Sequence, residues 1–220
     1  ERKISSKIAM LIVEPIQGEN GVIVPPPGYL SSIRDLCNKH GVLLCFDSVQ
    51  TGMGRTGTWF GFEHEGIAPD VITLAKGLGG GLPLGAVIAL GKYAAALKPG
   101  SHGTTFGGNP ISCSAANAVI AEINRSGALA TNAAKGALIR NLISPISGVK
   151  EVRGRGLLIG IVLDAPKAKD IALWLQSAGF LVNAANEEVI RIAPAFIVTE
   201  KQILAFVRAF SDACEEVFHG

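Results

Sequence analysis

Two short apolar runs, each stopped by one polar residue and then by glycines, constrain this chain most. Val42-Leu43-Leu44-Cys45-Phe46 runs into Asp47, and Val71-Ile72-Thr73-Leu74-Ala75 runs into Lys76. Runs of this length fit strands buried on both faces, as in a parallel sheet. In such sheets ligands bind beyond the carboxyl ends of the strands. Asp47 and Lys76 therefore fall where a site belongs. Gly52, Gly54 and Gly57 follow the first run, and Gly77, Gly79, Gly80 and Gly81 the second. Glycine lets backbone approach a ligand closely.

A lysine amine bonds a carbonyl carbon, and pyridoxal 5′-phosphate supplies one. That cofactor also needs a carboxylate beside its ring nitrogen, which keeps the nitrogen protonated. A charge-assisted hydrogen bond of this kind contributes roughly 1.5–3 kcal/mol. Taken singly, a strand-end aspartate is more often a turn residue, and a lysine before glycines a solvated one. Their company decides between the readings.

Asp47-Ser48-Val49-Gln50-Thr51-Gly52-Met53-Gly54-Arg55-Thr56-Gly57 resembles the D-E-[VI]-Q-T-G-x-G-R-T-G block of the class III pyridoxal-phosphate aminotransferases, in their acetylornithine/ornithine branch. Pro69-Asp70-Val71-Ile72-Thr73-Leu74-Ala75-Lys76-Gly77 is similar to their P-D-[IV]-x-x-x-[AG]-K block. Further matches cover nearly the whole chain. Glu14 to Gly21 resembles E-P-[IV]-Q-G-E-x-G, His102 to Pro110 resembles H-G-[ST]-T-[FY]-G-G-N-P, Val152 to Gly160 resembles V-R-G-x-G-L-[ML]-x-G, and Ile190 to Pro194 resembles [LIV]-R-x-x-P.

The resemblance implies fold type I of the pyridoxal-phosphate transferases. On this reading residues 1–125 are the C-terminal part of the large, mostly parallel-sheet α/β domain. Residues 126–220 are then the small α+β domain. It implies an aminotransferase that uses pyridoxal 5′-phosphate and works between an ω-amino acid such as N-acetylornithine and 2-oxoglutarate or glutamate. Lys76 bonds the cofactor and carries the proton, Asp47 holds the ring nitrogen, and Gln50 lies beside the ring oxygen. Thr105 reaches the phosphate of a second subunit, so a homodimer is expected. Arg191 clamps the substrate α-carboxylate with its planar fork, and Glu14 gates that arginine.

Composition leaves this reading standing. A net charge of +2 with no basic run gives no reason to expect nucleic acid or an anionic membrane. No apolar stretch of about 18 residues predicts a membrane span, and no signal peptide is recognised. The four cysteines, Cys37, Cys45, Cys113 and Cys214, form no CxxC and suit a reducing cytosol. The four histidines show no metal-ligand spacing. Apolar residues reach 48% and charged ones only 17%, which suggests that a partner covers some surface.

Around these blocks the pattern predicts a strand over Ile8–Val13, a helix from Gly28 to His40 closed by Gly41, a strand over Gly85–Leu90 and a helix from Asn109 to Arg125. The second segment reads as a helix over Ala128–Ile143 and strands over Val149–Arg153 and Leu157–Leu163. A helix over Lys167–Ala178, short strands over Leu181–Asn183 and Val189–Ile192, and a closing helix from Thr199 complete it. Thr199 and Gln202 predict a capping box. Residues from Arg125 onward are expected to fold by themselves, with proteases cutting first between Arg125 and Ala130.

Two departures from the family pattern matter. Ser48 stands where the family has glutamate. The family's earlier phosphate-cradling loop and ring-stacking aromatic are not found, and a sheet lacking its other strands exposes an edge or an apolar face. These departures support an alternative in which the chain is a non-catalytic fragment of this fold that acts through subunit association. A mutase or decarboxylase on the same fold is a lesser alternative.

Overall fold

The structure, a computed structural model, describes residues 4, 5 and 7–219. Glu1 and Gly220, the outer ends of the two expected segments, lie outside the described residues. The chain divides into two compact units. The first holds the described part of Glu1–Pro15 with Pro25–Gly54 and Thr58–Gly127. The second holds Ile16–Val24, Arg55–Gly57 and the described part of Ala128–Gly220. The change of unit falls after Gly127, but two short segments from the first half of the chain belong to the second unit. A single cut in the sequence does not describe this division.

In the first unit the elements are β1 (Met10–Val13), α1 (Tyr29–His40), β2 (Leu43–Asp47), β3 (Val71–Leu74), β4 (Ala86–Ala89) and α2 (Pro110–Ser126). The sheet order is β1-β2-β3-β4. The first two pairings are parallel and the third antiparallel. The apolar run of β2 lies at the centre, and Leu44, Cys45 and Phe46 are at most 1% exposed. The outer strands differ, since Ile12 and Val87 are each 61% exposed. Their apolar side chains face outward from a sheet that is covered only in part.

Local signals set the helix limits. Gly41 closes α1 in the left-handed conformation, and its N–H is directed at the carbonyls of Asn38 and Cys37. Asn109 caps α2 by accepting from Ser112 N at 3.0 Å, with Pro110 in the first turn. Arg34 of α1 pairs with Asp70 at 2.8 Å, and Asp70 also accepts from Leu44 N at 2.8 Å. Asp70 thereby ties α1 to the start of β2.

The second unit contains α3 (Ala128–Ile143), β5 (Val149–Arg155), β6 (Leu158–Leu163), α4 (Ala168–Ser177), β7 (Asn183–Ala184), β8 (Val189–Ile192) and α5 (Glu200–His219). Its sheet is antiparallel in the order β5-β6-β8-β7. Ile139, Ile171, Ile203 and Phe210 of the helices pack with Ile159, Ile161 and Ile190 of the strands. The capping box forms as expected: Thr199 N donates to Gln202 Oε1 at 2.8 Å and Gln202 N to Thr199 Oγ1 at 3.3 Å. The strand expected at Leu181–Asn183 instead spans Asn183–Ala184, and Leu181 is 87% exposed.

The segment Ile16–Val24 is built into this unit. Ile16 and Val22 form a small buried cluster with Leu158. Arg153 Nε and Nη2 both donate to the Gly21 carbonyl, at 3.1 and 2.9 Å. A Cβ at Gly160 would lie 2.8 Å from that same oxygen, so only glycine allows the approach.

Candidate active site

Three parallel strands of the first unit deliver their carboxyl ends to one edge. Glu14 follows β1, Asp47 ends β2, and Lys76 follows β3 after one residue. Val13 pairs with Phe46 and Asp47 with Thr73, so these ends lie in register. Asp47 is half-buried, and its Oδ1 accepts from Val49 N at 3.0 Å and from Thr73 Oγ1 at 3.3 Å. Those donors orient the carboxylate from the strand side.

Lys76 is exposed and adopts φ +43°, one of three non-glycine residues in the left-handed region among those described. A residue there carries about 1–2 kcal/mol of backbone strain. The tight turn Lys76–Gly79 holds it, with Leu78 N bonded to Ala75 O at 2.9 Å. Gly80 packs this turn on α2, where a Cβ would lie 2.8 Å from Val119. The glycines after Lys76 therefore serve close packing as well as turning.

Ser48 is 1% exposed, and among the described residues its hydroxyl has no hydrogen-bond partner. Its backbone is fully engaged: Ser48 N donates to Thr73 O at 3.0 Å, and Ser48 O accepts from Gly52 N at 2.8 Å. The turn after Asp47 thus closes through backbone groups that serine supplies. Gln50 is half-buried within this turn. Thr105 is exposed on the segment between β4 and α2, beside Phe106, which is 80% exposed.

In the second unit Arg191 sits on β8, paired with Gly160 and Asn183 of its neighbours. Its guanidinium meets Glu19 Oε1 at 3.0 Å. Glu19 lies five residues after Glu14, to which the resemblance assigns the gate. Arg191 also lines a cavity of about 760 Å³ with Asn183, Phe206 and Gln202.

The cysteines are free, and three of them are buried. Burial, and secondarily the Asp47 charge, push the Cys45 thiol up, while burial alone pushes Cys214 to about 12. Buried thiols held protonated in this way behave as small apolar groups. Among the described residues no group of three His, Cys, Asp or Glu side chains is placed to hold a metal ion. No described helix is long and apolar enough to cross a membrane.

Known proteins share this fold. The chain is 52% identical over 208 residues to the acetylornithine aminotransferase of Mycobacterium leprae, covering 94% of this chain and 52% of that protein. It is 48% identical over 223 residues to the acetylornithine aminotransferase of Streptomyces coelicolor, covering 99% and 56%. The chain thus spans about half the length of the curated relatives it matches. Among solved structures it matches the ornithine aminotransferase of Toxoplasma gondii with a TM-score of 0.90 and 33% identity, over 97% of this chain and 52% of that one. That structure has partial occupancy of PLP at its active site. The acetylornithine aminotransferase of Elizabethkingia anophelis matches with a TM-score of 0.84 and 36% identity, over 93% and 56%. These neighbours identify the fold as that of the type I pyridoxal-phosphate transferases. The model of the family "Aminotransferase class-III" matches residues 1–214, and the chain belongs to that family, whose cofactor is pyridoxal 5′-phosphate.

Proposed function

We propose that this chain carries the cofactor-bonding and carboxylate-binding residues of an aminotransferase that moves an amino group between an ω-amino acid, N-acetylornithine foremost, and 2-oxoglutarate. The observation that carries the reading is the pair at the strand ends. An oriented carboxylate, Asp47, and a lysine in a strained turn, Lys76, end adjacent parallel strands. This donor set fits pyridoxal 5′-phosphate, which when bound supplies the electron-withdrawing ring and the carbon that receives the amino group. Lys76 Nζ would hold the cofactor and move the proton, and Asp47 would keep a proton on the ring nitrogen. Gln50 would support the ring oxygen, and Thr105 would donate to a phosphate oxygen of the second subunit in a homodimer. Arg191 binds the substrate carboxylate. The four free thiols are in keeping with a reducing compartment such as the cytosol.

The test is an absorbance titration of the chain with pyridoxal 5′-phosphate, with Lys76→Ala in parallel. A saturable band of the lysine-bonded cofactor is expected, lost in Lys76→Ala and bleached by glutamate. The same band in Lys76→Ala would remove the role given to Lys76. No saturable band in the unaltered chain would favour a second reading, a folded fragment that acts through subunit association. The exposed Ile12 and Val87 on the outer strands favour that reading.

Glu14 keeps the gating role that the resemblance implies, and Glu19 already meets the guanidinium of Arg191. A substrate carboxylate must displace it. Glu19 is 69% exposed on its side chain, so the pair is screened and contributes about 0.2–1 kcal/mol. Glu19→Gln is therefore expected to tighten 2-oxoglutarate binding by about 1.4- to five-fold in calorimetry. Unchanged or weaker binding would argue against Glu19 as the internal competitor.

A further inference from the structure

The guanidinium of Arg55 is bonded to carbonyls rather than to an acid. Its Nη1 donates to Leu157 O at 3.2 Å and to Pro194 O at 2.6 Å. Its central carbon lies 4.6 Å from the centre of the Phe196 ring. In return, Leu157 N donates to Arg55 O at 2.9 Å. Burial lowers its pKa to about 10, so the group remains charged at neutral pH. Among the described residues it forms no ion pair with a carboxylate.

The place of these contacts matters. Arg191 belongs to β8, which ends at Ile192. Pro194 and Phe196 lie in the turn that leaves β8. A second cation holds the same turn, as Lys135 Nζ donates to Phe196 O at 2.7 Å. There is little slack around Arg55, since a Cβ at Gly156 would lie 2.6 Å from its carbonyl oxygen and 2.5 Å from the Thr56 carbonyl carbon. A half-buried charge without an acid partner is costly to keep. Here its bonds converge on the backbone that fixes the end of β8.

We propose that Arg55 is a positioning residue, which clamps the turn through Pro194 and Phe196 so that Arg191 is held ready for a dicarboxylate. The proposal rests on the reading of Arg191 as the carboxylate-binding residue. Lysine at position 55 keeps the charge but cannot lie flat on Phe196 or span both carbonyls.

The experiment measures 2-oxoglutarate binding to the chain by calorimetry, with amide hydrogen exchange and melting temperature alongside. Arg55→Lys is expected to weaken binding by about ten-fold, the scale of one charged hydrogen bond. Exchange at the Ala195 and Phe196 amides rises, and the pyridoxal phosphate band is unchanged. Phe196→Leu, which keeps Arg55 and removes the ring, weakens binding by about two- to five-fold. Leu175→Ala, a core change in the same unit, lowers the melting temperature and leaves 2-oxoglutarate binding as it was. If Arg55→Lys and Phe196→Leu behave like Leu175→Ala, Arg55 is only structural and the proposal is overturned. Arg191→Ala separates the two claims. Unchanged binding in Arg191→Ala, or none in the unaltered chain, sinks the reading of Arg191 itself. Loss in Arg191→Ala alone sinks only the clamp.

Discussion

Gly136→Ala is expected to lower the melting temperature of the second unit by roughly 15 °C. Gly136 lies on α3, and a Cβ there would run into the carbonyl of Gly156 between β5 and β6. Nothing flexible can yield, because the obstacle is backbone. Gly156 is itself left-handed at φ +51° and pressed against Arg55, Thr56 and Gly57 on its other side. The helix must therefore move off the strands. Overpacking of a core typically costs 1–3 kcal/mol, and a clash with fixed backbone belongs at about 3 kcal/mol or above. For a unit of this size each kcal/mol corresponds to about 4–8 °C. Gly179→Ala is the control. Gly179 is also left-handed, at φ +86°, but a Cβ there meets nothing within 4 Å. That variant carries only the backbone strain, about 1–2 kcal/mol. Equal melting shifts in a thermal scan would show that close packing at Gly136 is not what matters.

A chain cut down to residues 126–220 is expected to lack the cooperative unfolding of the second unit. The sequence presents that stretch as a self-sufficient alternation of helices and strands. In the structure Ile16–Val24 and Arg55–Gly57 belong to the same compact unit. Removing them strips Ile16 and Val22 from Leu158. Each of these side chains contributes about 1.5–3 kcal/mol by burial. The cut also removes Arg55 from the carbonyls of Leu157 and Pro194. Against a total stability of about 5–15 kcal/mol, little remains. A urea transition of 126–220 with the midpoint of the same unit in the whole chain would contradict this account.

The sequence was most legible where structure is local. The apolar run Leu43–Phe46 forms the buried central strand, and Gly41, Asn109 and the Thr199–Gln202 pair mark helix ends at the positions expected. These signals need only neighbouring residues. The motif blocks led to Asp47 and Lys76 at adjacent strand ends. What escaped is non-local. Ile16 and Val22 look like any apolar residues in a glycine-rich loop, and no periodicity records that Leu158 waits for them. Arg55 was one letter of a motif until Pro194 came beside it. That Glu19 meets Arg191 could be seen only once the loop was placed beside β8. The difference at Leu181 has a similar origin, since its apolar side chain reads as a strand residue while the chain leaves it exposed.

The left-handed conformation of Lys76 sets breeding for robustness against breeding for chemistry. At φ +43° glycine is more comfortable than lysine, and asparagine more so than most. A selection that scores heat resistance alone would therefore favour replacement at this position and discard the amine on which the proposed chemistry depends. A library ranked by thermal survival should show depletion of lysine at position 76, whereas one ranked by amino transfer should retain it.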